Sequence, residues 1–299
     1  MQKRHHTVPR CYLEQFIDTN GDIWSLDTSN KIFNTKPNNI LVESHFYRIT
    51  LKDGSKSVVV ENTLADIEGR YAEIFRNKLS QDKFLTSEER AYASVFLASL
   101  LHRTRPNREG LRGMLSSLKK SAEEWREQLK WLSPEQKRII SATPSTGESI
   151  NIEDLEKGLE NWDEHHSASL IDHITHTAQV LFNMNWSVWK YPSGQGSFLT
   201  SDDPFVMRRP AAELKYGKNA IGSQAGLLFK DVEITIPLSK ERLLLAGWIL
   251  ERDSYIEATA DTAEAMNQRT ILASSKHVIA CNKKQLEEVI KKYPPLPKP

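Results

Sequence analysis

Hydrophobic positions recur with a helical period through the middle of the chain. Between about Asn62 and Leu79 they follow one another every three or four residues, which predicts an amphipathic helix. Its apolar positions are Leu64, Ile67, Tyr71, Ile74 and Phe75. Thr86 and Glu89 have the spacing of a capping box, and the following segment, AYASVFLASLLH, is apolar on nearly every side. This segment predicts a central buried helix, which Pro106 ends or kinks before a further helix through about Trp125.

A period of two replaces the helical period at both ends of the chain. The runs GDIWSLD, NKIFNTK, SHFYRIT and SVVVE, separated by turn residues, predict an antiparallel β meander before residue 60. After residue 183, the runs NWSVWKY, GSFLTS, DVEITIPLS and RLLLAGWIL are extended as well, and DVEITIPLS alternates strictly. A helix over about 259–270, the strand SKHVIAC and a short helix follow. We therefore expect an α+β fold, with a helical middle flanked by an N-terminal antiparallel β meander and a C-terminal, mostly antiparallel sheet.

The chain is expected to form a single α+β domain over residues 1–299. A long helix is predicted from about Asp154 to Phe182, and the polar stretch at 141–151 before it is expected to be a mobile connection. The domain divides into three sub-regions, the N-terminal segment and meander at 1–60, the helical region at 61–182 and the β-rich region at 183–292.

The composition narrows the class of protein. Forty Lys and Arg residues against 39 Asp and Glu residues leave a formal charge of +1, so a globally basic surface is excluded and only a local basic patch remains open. Two cysteines cannot build a disulfide framework. No apolar run approaches the roughly 18 residues of a membrane-spanning helix, and the N-terminus lacks the apolar stretch of a signal peptide. We expect a cytoplasmic protein without a membrane partner.

Glu68 is the most informative single residue. On the predicted helix it lies within the apolar stripe, one turn after Leu64, and Glu61 shares the same face two turns earlier. A carboxylate on a core-facing stripe must be paired, bound to a metal or protonated. Glu68 is therefore either the partner of a core arginine, such as Arg103 or Arg105, or a catalytic or metal-ligating group.

Asp202 and Asp203 form an acidic pair after the strand-like GSFLT segment. Such a pair presents oxygens to a hard cation or to a reacting group. Ser201-Asp-Asp-Pro204 is also good turn chemistry, in which aspartate oxygens cap nearby backbone N–H groups. The residues alone leave both explanations open.

His5 and His6 lie near the N-terminus, a position that is usually frayed. Pro9 and a short helix that docks through Leu13 and Phe16 predict instead that the segment is pinned. A neutral imidazole can transfer a proton or bind a metal near pH 7.

Arginines are concentrated in the segment HRTRPNR at residues 102–108. Positive charge at a helix C-terminus is favourable to the helix dipole, which is the structural explanation. Guanidinium groups also grip phosphate oxygens in bidentate geometry. The candidate phosphate-binding residues are Arg10, Arg103, Arg105, Arg108 and Ser201.

The predicted helix at 154–182 carries four of the nine histidines on an arc of about 100°. Two of them, His173 and His176, have a spacing that can hold one metal ion. A solvated polar face is the simpler account. The four residues are His165, His166, His173 and His176.

The opening HHTVPRCYLEQF, together with FLTSDDPF at 198–205 and ITIPLS at 234–239, resembles a bacterial family of unassigned activity, the domain-of-unknown-function family numbered 4238. The resemblance implies no known reaction, although it favours a functional role for Asp202, and antiviral defence is a suspected setting for families of this kind. The matching positions are His5, His6, Val8, Pro9, Tyr12, Leu13, Phe16, Glu61, Glu68, Arg103, Arg105, Arg108, Ser201, Asp202 and Pro204.

Two hypotheses of function follow from these residues. The first is a phosphodiester hydrolase, most simply a nuclease of RNA or DNA, which uses a divalent Mg or Mn ion. Its catalytic residues would be His5, His6, Glu68 and Asp202, and its metal ligands Glu61, Glu68, Asp202 and Asp203. The alternative is a non-catalytic sensor or interaction module that binds a nucleotide or nucleic acid and has a buried His/Glu/Arg/Asp network.

Overall fold

The computed structural model describes residues 4–44, 49–50, 56–57, 59–142, 151–217, 225–251, 253–294 and 296. The fold is α+β, as the sequence predicts. Helices dominate the middle of the chain, and most strands lie near its two ends. The described helices are α1 (Arg10–Leu13), α2 (Val59–Asn77), α3 (Ser87–His102), α4 (Arg105–Lys130), α5 (Pro134–Ala142), α6 (Ile152–Glu160), α7 (Trp162–Asn183), α8 (Pro210–Tyr216), α9 (Ala260–Ala273) and α10 (Lys283–Lys292).

The strands pair into two larger sheets and two ribbons. They are β1 (Arg4–His6), β2 (Ile23–Asp27), β3 (Ile32–Thr35), β4 (Val42–Ser44), β5 (Ile49–Thr50), β6 (Lys56–Ser57), β7 (Asn185–Lys190), β8 (Thr200–Ser201), β9 (Val206–Arg208), β10 (Glu233–Ser239), β11 (Arg242–Gly247), β12 (Ser254–Glu257) and β13 (His277–Ala280). The five-stranded sheet has the order β12-β7-β11-β10-β9, in which only the β12–β7 pair is parallel.

The second sheet joins the two ends of the chain. Its order is β3-β2-β13-β8, so the hairpin of β2 and β3 pairs with a C-terminal strand, with Leu26 opposite Val278. The N-terminal strands are antiparallel, as predicted, and the hairpin of β2 and β3 is extended by its pairing with β13. Because one face of a lone hairpin cannot bury enough apolar surface, pairing with β13 supplies the missing neighbour.

Helix α3 lies at the centre of the core. The predicted capping box starts it, since Glu89 N donates to Thr86 Oγ1 at 3.2 Å and Thr86 N donates to Glu89 Oε2 at 2.8 Å. Phe96, Leu97 and Leu100 are fully buried, and the ring of Phe96 stacks on Tyr71 of α2 with centroids 3.7 Å apart. The apolar stripe of α2 is thereby packed on α3, and Glu68 lies at the edge of that contact.

Two predicted elements differ in the structure. In the run SVVVE, Ser57 ends β6, whereas Val59 and Val60 begin α2, where Val60 packs into the core. The long helix predicted over 154–182 is two helices, α6 and α7, broken at Asn161 (φ −105°, ψ 36°). The backbone N–H and the side-chain amide of Asn161 both donate to Lys157 O, which ends α6.

Some expectations fall outside the described residues. Most of the predicted connection at 141–151 lies there, because residues 143–150 are not described. Part of the run SHFYRIT lies there too.

Pro106 lies in the first turn of α4, where the backbone N–H that proline lacks would have no partner within the helix. Within the described ranges, none of the helices has the length and apolarity that a membrane crossing needs.

Candidate functional site

The N-terminal segment is held in place by strand pairing and by a contact between His5 and Glu61. Strand β1 pairs with β4, which places His5 opposite Glu43. The imidazole of His5 is buried, and its Nε2 lies 3.4 Å from Glu61 Oε1 on α2. The predicted pinning of this segment is therefore present, with Glu61 as a partner of the first histidine.

Arg103 joins three elements at the C-terminal end of α3. Its side chain is 4% exposed; Nη1 donates to Glu68 Oε1 at 2.6 Å and Nη2 donates to the carbonyl of His6 at 3.0 Å. Glu68 thus has the core-arginine partner that its place in an apolar stripe requires, and that partner is Arg103. The thiol of Cys11 lies beside this pair, and burial first, then the charge of Glu68, raise its pKa to about 12. A thiol with that pKa is a packing group and not a nucleophile at neutral pH.

Tyr12 connects the same N-terminal segment to both sheets. Its hydroxyl donates to the carbonyl of Pro237 at 2.7 Å and lies 2.7 Å from Thr200 Oγ1. The ring is fully buried and tilted against Phe16. The N-terminal motif therefore contacts the helical region and both sheets.

Asp202 lies in the turn after β8 and contacts the backbone at the start of β13. Its carboxylate accepts hydrogen bonds from the backbone N–H groups of three consecutive residues, at 3.0, 2.9 and 3.3 Å. The donors are Ser275, Lys276 and His277. With its oxygens used in this way and its side chain buried, Asp202 matches the turn-capping explanation of the Ser-Asp-Asp-Pro segment.

Asp203 has a different environment from its neighbour. Its backbone N–H donates to Ser201 Oγ at 3.1 Å, whereas its Oδ1 is buried without a hydrogen-bond partner among the described residues. Burial first, and then repulsion from the Asp202 carboxylate, raise the pKa of Asp203 to about 7, while a hydrogen bond with the Thr104 side chain acts in the opposite direction. Thr104 is the buried N-cap of α4 and directly follows Arg103. The Asp203 carboxyl therefore lies at the junction of α3 and α4.

The predicted phosphate-binding arginines each have an acidic partner. Arg10 Nε lies 2.7 Å from Glu14 Oε1, and Arg105 Nε lies 2.6 Å from Glu109 Oε1. Both arginines are about half exposed. Arg108 pairs with Asp163 of α7, and Ser201 is fully buried. Arg105 and Arg108 share the first turn of α4, while Arg10 lies on α1.

The predicted metal ligands are not assembled as a set. No three of the His, Cys, Asp and Glu side chains that the structure describes come together as a metal site. Glu61 lies against His5, Glu68 pairs with Arg103, and the oxygens of Asp202 accept backbone hydrogen bonds. Of the four predicted ligands, Asp203 is the one whose carboxyl retains an unused buried oxygen among the described residues.

Two of the four histidines that were predicted to form a solvated face of α7 are exposed, and the other two are not. His165 and His176 are exposed, but His166 is buried against the ring of Trp162 and His173 is partly buried beside His102. His102 itself is the residue that the sequence reasoning missed. It closes the apolar helix α3, where a polar residue on a buried stripe carries the same signal as Glu68.

A cavity of about 320 Å³ lies away from these residues, between α9, α10 and the loop after β7. Asp261, Glu264 and Glu288 line it together with Lys292, which pairs with Glu264. This acidic lining does not suit a phosphate.

The family comparison agrees with the motifs in this geometry. The model of the family described as "Protein of unknown function (DUF4238)" matches residues 4–284. The chain belongs to this family. The matched range includes β1, the Arg103 network and the turn of Asp202 and Asp203. Neither a comparison with curated proteins nor one with solved structures found a match.

Proposed function

We propose that this DUF4238 protein is a phosphodiester hydrolase that acts on nucleic acid, with Asp203 as its proton-transfer group. The observation that carries the proposal is the Asp203 carboxyl, which has a pKa raised to about 7 by burial and an Oδ1 without a partner among the described residues. An acid with such a pKa is present in both protonation states at neutral pH, so it can donate or accept a proton. Active sites maintain groups of this kind at a cost in stability.

The place of Asp203 supports a phosphate-containing substrate. Its carboxyl lies beside Thr104, the N-cap of the 26-residue helix α4. The N-terminus of a long helix attracts anions, and Arg105 in the first turn adds a half-exposed guanidinium group. A proton-transfer group and an anion-binding helix end therefore meet at the α3–α4 junction.

The roles in the reaction follow from these positions. Asp203 in its ionised form accepts a proton from the attacking water as the new P–O bond forms and the bond to the leaving oxygen breaks, and the leaving oxygen takes its proton from solvent. Arg105 stabilises the negative charge that develops on the phosphoryl oxygens. The Mg or Mn ion predicted from the sequence would bind through substrate phosphate and a carboxylate, as Mg²⁺ commonly does. Arg103, Glu68 and Asp202 hold the surrounding backbone.

Cleavage of labelled single- and double-stranded RNA and DNA tests the proposal, with Mg²⁺, Mn²⁺ or EDTA in parallel. The wild type is expected to cleave at least one substrate, and Asp203→Asn to lose at least about 100-fold in rate while remaining folded. Asp66→Asn is the matched control, because Asp66 is an exposed carboxylate on α2. Activity should change with an apparent pKa near 7. A folded wild type that leaves all four substrates intact, or an Asp203→Asn variant with full activity, would overturn the proposal.

The second candidate is the non-catalytic module that binds nucleotide or nucleic acid. It is favoured by the side-chain and backbone bonds of Arg103, Glu68 and Asp202, which make three predicted site residues parts of a structural network. In this case fluorescence anisotropy shows binding of labelled nucleic acid without cleavage. Arg105→Gln would weaken that binding and reduce its salt dependence, whereas Asp203→Asn would leave it unchanged.

A further inference from the structure

An apolar stripe runs along α4, the longest of the described helices. Although α4 has 26 residues, none of them is buried. Its apolar side chains recur at alternating intervals of four and three residues, which is the heptad spacing of helices that pack lengthwise against another helix. The positions are Leu111, Leu115, Leu118, Ala122, Trp125 and Leu129.

The face of α4 that carries this stripe has no charged residue. At about 100° per residue, the arc bounded by Leu115 and Gln128 spans about 140° around the helix. Every Lys, Arg and Glu of α4 lies outside that arc. An apolar face of this width is typical of a helix that packs against another element, so the stripe indicates a packing partner along α4.

Helix α6 covers one edge of the stripe. Leu115 lies against Gly158 of α6, and Lys119 Nζ lies 2.9 Å from Glu156 Oε1 on the same helix. The other edge is exposed in the described structure, and it carries four large apolar side chains that we call the open edge. They are Met114 (64% exposed), Leu118 (39%), Trp125 (54%) and Trp131 (88%), the last of which directly follows α4.

The exposed area of the open edge is large enough for a specific interface. If a large side chain has an area of about 200 Å², the four residues expose on the order of 500 Å² together. Exposed apolar patches of about 300–600 Å² on a single chain are often functional. Two copies of the patch would bury about 1,000 Å² of apolar surface, which is already the area that a specific interface needs before its polar rim is counted.

The charges of α4 favour a second copy of the same helix in antiparallel orientation. Residues 105–120 carry five basic side chains and one acidic side chain, whereas residues 121–130 carry three acidic and two basic ones. An antiparallel pair places the basic half of each helix beside the acidic half of the other, whereas a parallel pair places like halves together. Symmetry about Ser121 and Ala122 sets Leu118 of one copy against Trp125 of the other, and the small side chains at the centre let the helices approach closely.

We propose that the open edge of α4 is a self-association surface, on which a second copy of this chain packs its own α4 in antiparallel orientation. Each copy contributes the same patch to such an interface, so association closes at a symmetric dimer and does not continue into a filament. The proposal goes beyond the proposed hydrolase activity and does not depend on it, because Leu118 and Trp125 lie beyond the α3–α4 junction.

Sedimentation equilibrium of the full chain, over concentrations of about 1–100 μM, tests the proposal. We expect a reversible dimer for the wild type, and Leu118→Glu and Trp125→Ala each to weaken dimerisation by at least about 10-fold. Leu214→Glu is the matched control, because Leu214 is an exposed leucine on α8. It should dimerise as the wild type does. Circular dichroism melts of each variant separate loss of the interface from loss of the fold.

Disulfide cross-linking tests the antiparallel orientation. Ser121→Cys places a thiol beside the expected symmetry axis, where air oxidation with a copper catalyst should link two copies into a dimer on a non-reducing gel. Ser116→Cys is the matched control, because Ser116 is an exposed serine on the opposite side of the same helix. It should remain largely unlinked.

Three results would overturn the proposal. The first is a wild type that stays monomeric at every concentration, including one that instead co-sediments with phosphatidylcholine–phosphatidylserine vesicles, which would assign the open edge to a lipid surface. The second is a dimer that persists undiminished in a folded Leu118→Glu variant. The third is equal cross-linking of Ser116→Cys and Ser121→Cys.

Discussion

The adjacent aspartates at the turn after β8 should respond to the same substitution with opposite signs. Asp203→Asn removes a carboxyl whose ionisation the fold opposes, whereas Asp202→Asn removes a carboxylate that accepts three backbone hydrogen bonds. The two side chains are neighbours in sequence and identical in chemistry. Their environments alone therefore determine the difference in the free energy of unfolding.

The magnitude for Asp203 follows from its pKa, which rises from 3.8 to about 7 on folding. The folded state keeps the Asp203 proton over that range. The contribution of Asp203 to the free energy of unfolding is therefore complete below pH 3.8 and is lost as the pH rises towards 7. The loss amounts to about 4 kcal/mol above pH 7. Asparagine does not ionise, so Asp203→Asn should raise the free energy of unfolding by about 2–4 kcal/mol at pH 8 and by less than about 1 kcal/mol at pH 4.

The expectation for Asp202 has the opposite sign. An asparagine at this position turns one acceptor oxygen into an NH₂ group that faces a backbone N–H donor, and the remaining bonds lose their charge assistance. We expect Asp202→Asn to lower the free energy of unfolding by about 2–4 kcal/mol at pH 8.

Urea unfolding of the wild type and both variants at pH 4 and pH 8 measures these differences, with unchanged m-values as the check that the denatured states are comparable. A destabilising Asp203→Asn at pH 8, or a gain of equal size at both pH values, would refute the reasoning about its buried carboxyl. If Asp203→Asn is instead more stable and also inactive in the cleavage assay, the carboxyl is retained for function at the expense of stability.

Three further predictions concern the network and the histidines. Arg103→Gln should lower the free energy of unfolding by about 3–5 kcal/mol, more than Glu68→Gln, because the arginine is the more buried partner; equal losses in urea unfolding would contradict this. Burial lowers the pKa of both His102 and His166 to about 4 from 6.5, so the unfolded state binds protons first, and stability should fall by about 3 kcal/mol per histidine as the pH drops from 6.5 to 4. His166→Gln should flatten that dependence in denaturant titrations at several pH values. Tyr12→Phe leaves a buried carbonyl without its donor and should cost about 1–2 kcal/mol by the same assay, with no change in fold by circular dichroism.

Local patterns predicted the elements whose stability depends on near neighbours in the chain. The capping box of α3 is formed as predicted, because Thr86 and Glu89 are brought together by one helical turn. The apolar stripe of α2 required Glu68 to be paired, bound to a metal or protonated, and in the structure its carboxylate pairs with Arg103. The motif near the N-terminus predicted a pinned segment, and β1 pairs with β4.

The roles of side chains whose partners are distant in the chain could not be predicted from those patterns. The resemblance favoured a functional role for Asp202, but in the structure the backbone N–H groups of residues 275–277 donate to the Asp202 carboxylate. Oδ1 of Asp203 has no partner among the described residues. The histidines of α7 share one arc, yet His166 is buried and His176 is exposed, because the packing of α3 and Trp162 covers part of that arc.

The sequence by itself determined the fold class, the core helices and the need for a partner at Glu68. These follow from the spacing of side chains along one element, which is set by helix and strand geometry. Only the tertiary structure decided that Arg103 is that partner, that the β2–β3 hairpin pairs with β13, and that Asp203 lies beside the start of α4. Contacts between residues far apart in the chain depend on the free energy of packing the whole core. The local pattern of hydrophobic positions does not contain that information.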